Sequence, residues 1–103
     1  MSLLKEHVGR FNESVRTGDW SRMLELLSDD AVLEFDGIPV GPFHGRDAVG
    51  AAYRAQPPDD EIVLLEGGPD YAWARDPAVK AGELHLDERD GRIARIRVVY
   101  LRD

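Results

Sequence analysis

The chain has 103 residues, a formal net charge of -7 at pH 7 and no cysteine. This length provides for one compact core, so residues 1–103 are predicted to form a single domain. A negative surface repels nucleic-acid phosphates and anionic membranes, and a chain without cysteine has no disulfide, thiolate nucleophile or zinc–thiolate site. There is no apolar segment typical of a signal peptide, and none approaches the roughly 18 apolar residues of a membrane span. We therefore expect a cytoplasmic protein that binds neither nucleic acid nor membrane.

Two helices are predicted in the first 30 residues. Apolar residues recur at helical spacing from Leu4 to Val15, and Gly18 ends this segment. Asp19 is positioned to cap a second helix, whose apolar stripe extends from Trp20 to Leu27. The two helices are therefore expected to meet at a tight corner.

At residue 31 the apolar period changes from that of a helix to that of a strand. Leu33 and Phe35 alternate with Glu34 and Asp36, which predicts a strand over 31–36 whose buried face carries Leu33 and Phe35. A loop rich in Gly and Pro follows over 37–45. Helical spacing then returns, and two consecutive prolines end this third helix at residue 57.

The second half of the chain reads as strands. They are predicted over 62–65, 71–75, 79–88 and 92–101. Asp90 and Gly91 form a hairpin turn between the last two, because both residue types tolerate the positive φ that such turns need. The order of elements predicts an α+β fold in which a curved antiparallel sheet packs against three helices from the N-terminal half.

Several segments resemble ketosteroid-isomerase-like and SnoaL-like polyketide cyclase domains of the nuclear-transport-factor-2-like superfamily. They are FNESVRTGDW at 11–20, LLSDDAV at 26–32, FHGRDAV at 43–49 and DGRI at 90–93. The resemblance implies a cone-shaped fold with an apolar pocket and a homodimer paired through its sheets. It also implies acid–base isomerase or cyclase chemistry without a metal or cofactor, although a fold does not fix a function.

Ketosteroid isomerases use an aspartate base together with a tyrosine and a protonated aspartic acid that donate hydrogen bonds. Carried over to this chain, the position of the tyrosine falls on Phe11 and that of the base on Phe35. Asp36 is adjacent to the base position, but it faces the pocket only if the strand bulges, because neighbouring strand residues point to opposite faces. The position of the second donor falls on Glu83 or Gly82. The resemblance thus implies the fold without the isomerase triad.

The strand over 79–88 carries the sharpest candidate acid–base pair. Glu83 and His85 share one strand face, a spacing that lets a carboxylate and an imidazole share or orient a proton. Their alternation with Leu84 and Leu86 is also typical of the solvated side of a half-buried strand, and it favours Gly82 as the inward residue. Together with Asp36, this pair makes up the candidate catalytic residues.

Aromatic residues form the candidate ligand-binding set. Tyr71 and Trp73 lie on one predicted sheet face, and Arg75 follows in the same register. The complete set is Phe11, Phe35, Tyr53, Tyr71, Trp73 and Arg75, which would suit a flat apolar ligand. The same large side chains would also serve as core in so small a domain.

The three histidines carry weaker signals. His7 is interpreted as a packing or surface residue, and His44 as a turn residue or a contact at the mouth of the pocket. Their spacing matches no metal-ligand motif, so no metal site is predicted.

Two functions remain open from the sequence. The first is a small-molecule-binding cone-fold protein for a polyketide-like or steroid-like apolar compound, with isomerase, cyclase or lyase activity if it is an enzyme. The second is a non-catalytic homodimeric binding or interaction domain, which requires an exposed apolar patch on the sheet face opposite the pocket. Neither needs a cofactor.

Overall fold

The computed structural model describes residues 2–100, which form three helices and six strands. The helices are α1 Leu3–Thr17, α2 Ser21–Leu24 and α3 Arg46–Ala55. The strands are β1 Leu27–Asp36, β2 Phe43–His44, β3 Ile62–Leu64, β4 Asp70–Trp73, β5 Gly82–Arg89 and β6 Arg92–Tyr100. The predicted α+β class is confirmed; the predicted last strand residue, 101, lies outside the described residues.

The six strands form one sheet in the order β2-β1-β6-β5-β4-β3. β1 pairs parallel with β6, whereas the other neighbouring strands pair antiparallel. The sheet is therefore mixed rather than wholly antiparallel. A parallel pair needs a long connection along the chain. Here the whole segment from the end of β1 at Asp36 to the start of β6 at Arg92 forms that connection. Register shifts in the pairing of β1 with β6 and in the pairing of β5 with β6 add the irregularities that bend such a sheet.

The second helix is shorter than predicted. α1 begins after Ser2, whose side chain accepts a hydrogen bond from Lys5 N, and ends at Gly18 with φ of 79°. The carboxylate of Asp19 accepts from the backbone N of Ser21 at 3.0 Å, but the N-cap of α2 is Trp20, one residue later than predicted. α2 spans only four residues.

The short length of α2 has a long-range cause. The backbone N of Ile93 donates to the carbonyl of Leu26 at 2.8 Å, and Leu27 already pairs with Ile93 in the sheet. These contacts draw the chain into β1 before a second helical turn can continue. The first strand consequently begins at Leu27 instead of residue 31.

The predicted turn between the last two strands is confirmed. Asp90 and Gly91 have φ of 54° and 78°, the two positive values that a two-residue type I′ hairpin turn requires.

β1 and β6 divide the interior into two regions. Their first halves pack with α2 and α3 in a closed core, whose buried residues are Trp20, Met23, Leu27, Ala31, Val49, Ile93 and Ile96. Their second halves, from Leu33 to Phe35 and from Val98 to Tyr100, face a cavity instead. We call the sheet face toward the core and cavity the inner face, and the opposite one the outer face.

The side chain of Asn12 ties α1 to the edge strand β3. Its Nδ2 donates to the carbonyl of Ile62 at 2.9 Å, and its Oδ1 accepts from the backbone N of Ile62 at 2.7 Å. Ile62 is buried, so both backbone groups depend on this amide.

An Asn12→Leu variant is therefore expected to lose about 2 kcal/mol of unfolding free energy, because two buried backbone groups lose their partners. Urea denaturation measures the loss. Asn12→Asp keeps the acceptor for Ile62 N and lacks the donor for Ile62 O, so its stability should lie between the two. If the urea midpoint of Asn12→Leu equals that of the wild type, the two hydrogen bonds of Asn12 contribute nothing to stability.

Candidate functional site

A cavity of about 700 Å³ lies between α1, α3 and the inner face of the sheet. Its lining includes the buried residues His7, Phe11, Leu33, Tyr71 and Leu84 at one end. Exposed residues line its mouth, namely Ile38, Val40, Gln56, Asp59 and Arg75. The cavity therefore has a buried, mostly apolar end and a more polar mouth.

Aromatic rings form much of the wall. Phe11 meets the ring of Tyr53 edge-on at 6.2 Å, and Tyr53 stacks on Trp20 of the core at 4.7 Å. Tyr71 and Trp73 meet edge-on at 5.7 Å. These contacts fix the orientation of the rings before any ligand binds.

A second stacked pair stands on the neighbouring strands. The rings of Phe35 and Tyr100 lie parallel, with 6.1 Å between their centroids. All six residues of the candidate ligand-binding set, namely Phe11, Phe35, Tyr53, Tyr71, Trp73 and Arg75, line this one cavity. Their role in binding a ligand remains a prediction.

The candidate catalytic residues lie elsewhere. Glu83 and His85 are adjacent, with 2.9 Å between Oε1 and Nε2, but neither lines the cavity. Asp36 also lies outside the cavity lining and accepts a hydrogen bond from Arg97 Nε at 2.7 Å. The hydrogen bond from His85, assisted by Lys80, holds the pKa of Glu83 below its usual range. A catalytic role for these residues remains a prediction, and none of the three lines the cavity.

These residues belong to a charged outer face. Arg95 pairs with Glu34 at 3.3 Å, and the Glu83–His85 and Asp36–Arg97 pairs flank it through the register of β1, β5 and β6. The large hydrophobic residues that are exposed within residues 2–100 are Ile38, Val40, Val63 and Val79, none of which belongs to β1, β5 or β6. The apolar patch required by the homodimer hypothesis is thus not present on these strands, and the dimer itself remains a prediction.

Gly82 occupies the buried position on β5 that precedes Leu84. A Cβ at residue 82 would overlap the carbonyl oxygen of Val99 and would lie 3.2 Å from Cε1 of Tyr71. The close approach of β6 and the Tyr71 ring leaves room only for glycine.

Two polar groups in the buried end of the cavity lack partners. His7 Nδ1 and Tyr71 Oη are buried, and no hydrogen-bond partner for either exists within residues 2–100. Burial lowers the pKa of His7 to about 4, so its imidazole is neutral at pH 7. Burial, with a smaller contribution from Tyr100, raises the pKa of Tyr71, so its phenol stays protonated.

Of the two interpretations of His7 that the sequence left open, a packing residue or a surface residue, the structure supports the first. The structure buries it on the helix face of Val8 and Phe11, where it lines the cavity. The signal was available: His7 lies four residues before Phe11, and residues at that spacing share one face of a helix.

Two further properties of residues 2–100 bear on function. They contain no group of three or more histidine, aspartate or glutamate side chains arranged to hold a metal ion. None of their helices is long and apolar enough to cross a membrane.

Helices from the N-terminal half that close a six-stranded curved sheet over a cavity define a nuclear-transport-factor-2-like protein. The sequence profile of the SnoaL-like domain matches residues 8–75. The chain belongs to the SnoaL-like domain family. No curated protein sequence matches it significantly.

Solved structures show the same fold at low sequence identity. A protein from Sphaerobacter thermophilus is 23% identical, with a TM-score of 0.66 over 98% of this chain and 94% of that one. A nuclear-transport-factor-2-like protein of unknown function from Burkholderia pseudomallei is 16% identical, with a TM-score of 0.66 over 98% and 92% of the two chains. A computationally designed binder of 17-OHP is 18% identical, with a TM-score of 0.65 over 98% and 92%.

Proposed function

We propose that this protein binds a small, largely apolar molecule in the cavity. The observation that carries the proposal is an aromatic-lined space of about 700 Å³ whose charged lining residues, Asp59 and Arg75, are exposed at the mouth. Protein interiors are normally close-packed, and apolar cavities of several hundred Å³ are typical ligand sites. The similar fold of the designed 17-OHP binder supports the proposal.

A flat ligand suits the wall best. The parallel Phe35 and Tyr100 rings and the edge-on Tyr71 and Trp73 rings offer broad apolar surfaces to a planar molecule. Burying about 200 Å² of apolar ligand surface contributes about 5 kcal/mol, from which the cost of immobilising the ligand is subtracted. Aromatic contacts and hydrogen bonds would tighten the complex further.

We expect fluorene, a planar hydrocarbon, to bind in the cavity beside Trp73, measured as the change in the fluorescence of fluorene itself when protein is titrated into it. Ala52→Phe should weaken this binding about tenfold or more, because Ala52 lines the cavity and a ring would occupy the space of the ligand. The matched control is Ala51→Phe, which adds the same ring at the exposed neighbouring position. Equal affinities for the two variants would place the bound fluorene outside the cavity.

Binding is proposed without ketosteroid isomerase chemistry. Phe11 and Phe35 line the cavity at the positions where the resemblance implies the tyrosine and the base, and Gly82 stands at one of the two positions for the second donor. None of these three side chains transfers a proton or donates a hydrogen bond.

5-Androstene-3,17-dione is accordingly expected to isomerise no faster with this protein than in buffer. Ultraviolet absorbance of the conjugated product measures the rate. Turnover that disappears in an Asp36→Asn variant would instead establish Asp36 as a base that reaches the substrate.

A further inference from the structure

The buried end of the cavity combines an apolar wall with two polar atoms that lack partners. Tyr71 and His7 are 1% and 2% exposed, and neither Tyr71 Oη nor His7 Nδ1 has a hydrogen-bond partner within residues 2–100. Both residues line the cavity. Buried polar groups in native proteins are nearly always hydrogen-bonded, because an unpaired one costs about 1–3 kcal/mol. These two groups therefore indicate a partner that the polypeptide does not supply.

The charges around the cavity restrict what that partner can be. Arg75 is the cation that lines the cavity, but its side chain is 68% exposed and lies near Asp60, with 3.5 Å between Nε and Oδ2. Among the lining residues that the structure describes, none of the buried ones is a lysine or an arginine. A carboxylate or phosphate at the buried end would lose its hydration without gaining a counter-charge, which is costly.

The protonation states supply the rest of the argument. A protonated Tyr71 phenol donates a hydrogen bond, and a neutral His7 imidazole offers one N–H and one lone pair. A carbonyl oxygen accepts from the phenol, and a hydroxyl can satisfy either group. Uncharged oxygen is the ligand chemistry that both residues accommodate.

We propose that Tyr71 and His7 form a polar anchor, which hydrogen-bonds an uncharged carbonyl or hydroxyl oxygen of the ligand at the buried end of the cavity. This proposal rests on the ligand-binding function proposed above and adds the orientation of the ligand. The oxygen lies inward, and the hydrocarbon body extends along the aromatic wall toward the mouth.

Three probes on one tricyclic scaffold test the anchor: fluorene, 9-fluorenone and fluorene-9-carboxylate. We expect 9-fluorenone to bind about tenfold more tightly than fluorene, because one hydrogen bond in a buried site is worth about that factor. The carboxylate should bind more weakly than both. Tyr71→Phe should remove the preference for 9-fluorenone, measured as the ratio of the fluorene and 9-fluorenone dissociation constants, and His7→Leu should reduce that ratio.

A spectroscopic measurement separates anchoring from a structural role. The infrared carbonyl stretch of bound 9-fluorenone should lie at lower frequency in the wild type than in Tyr71→Phe, because a hydrogen bond weakens the carbonyl bond. If Tyr71→Phe does not fold, a wild-type stretch at the frequency found in hydrocarbon solvent overturns the proposal. Equal binding of fluorene and 9-fluorenone also overturns the anchor and leaves the proposed function intact. Tightest binding of the carboxylate overturns the uncharged ligand, and no binding of any probe overturns both proposals.

Discussion

Gly82→Ala is expected to lower the unfolding free energy by about 3 kcal/mol or more, because an added methyl group meets backbone that cannot rotate away. The new Cβ would overlap the Val99 carbonyl oxygen and press on Tyr71 from 3.2 Å. Relief requires β5 and β6 to separate where they form the floor of the cavity. Urea denaturation at neutral pH measures the effect.

The matched control is the same substitution in α1. Gly9 is exposed in the helix interior, and a Cβ there would meet nothing within 4 Å. Gly9→Ala is therefore expected to stabilise the protein by about 0.8 kcal/mol, the difference in helix propensity between the two residues. If Gly82→Ala remains within about 0.5 kcal/mol of wild type, the magnitude typical of a neutral surface change, β5 and β6 are not held as closely as described.

The second large effect is a loss of stability in mild acid that depends on His7. Burial lowers the pKa of His7 from 6.5 to about 4 in the folded protein. As the pH falls, the unfolded chain therefore binds the proton first. The contribution of neutral His7 to the unfolding free energy is present above pH 6.5, the unfolded pKa, and is lost as the pH falls toward 4, the folded pKa. Between pH 6.5 and pH 5 the unfolding free energy should drop by about 1.6 kcal/mol from this residue alone.

His7→Leu should remove that drop, because leucine does not titrate. Urea denaturation at a series of pH values between 5 and 7 compares the slopes. His44→Gln changes an exposed histidine and serves as the control that keeps His7. An identical slope in wild type and His7→Leu would show that the imidazole is not held neutral by burial.

The parts of the fold that were predicted correctly are those encoded by local patterns. The period of the apolar residues from Leu4 to Val15 defines α1, and the pair Asp90-Gly91 defines the last hairpin. The parallel pairing of β1 with β6 joins segments about 60 residues apart, and no local pattern specifies it. The early end of α2 has the same origin, since the hydrogen bond from Ile93 to Leu26 is a long-range contact.

The candidate site divides in the same way. The aromatic residues of the cavity lining follow from strand alternation and helix periods, as Tyr71 and Trp73 illustrate. His7 was interpreted by its residue type, as a polar side chain beside an apolar stripe, whereas its helical position places it on the buried face. The pairing of Glu83 with His85 was anticipated from spacing, but spacing along one strand does not reveal which face of a sheet meets a cavity.

Because one half of β1 and β6 is packed in the core and the other half faces the cavity, substitutions in the two halves affect different properties of the protein. Substitutions near Leu27 or Ile93 disturb the closed core and lower the unfolding free energy. Substitutions near Phe35 or Val98 change the shape of the cavity, where there are fewer packing contacts to lose. The ligand preference of such a protein can therefore change while its closed core stays constant. In this way a single fold can serve many chemistries.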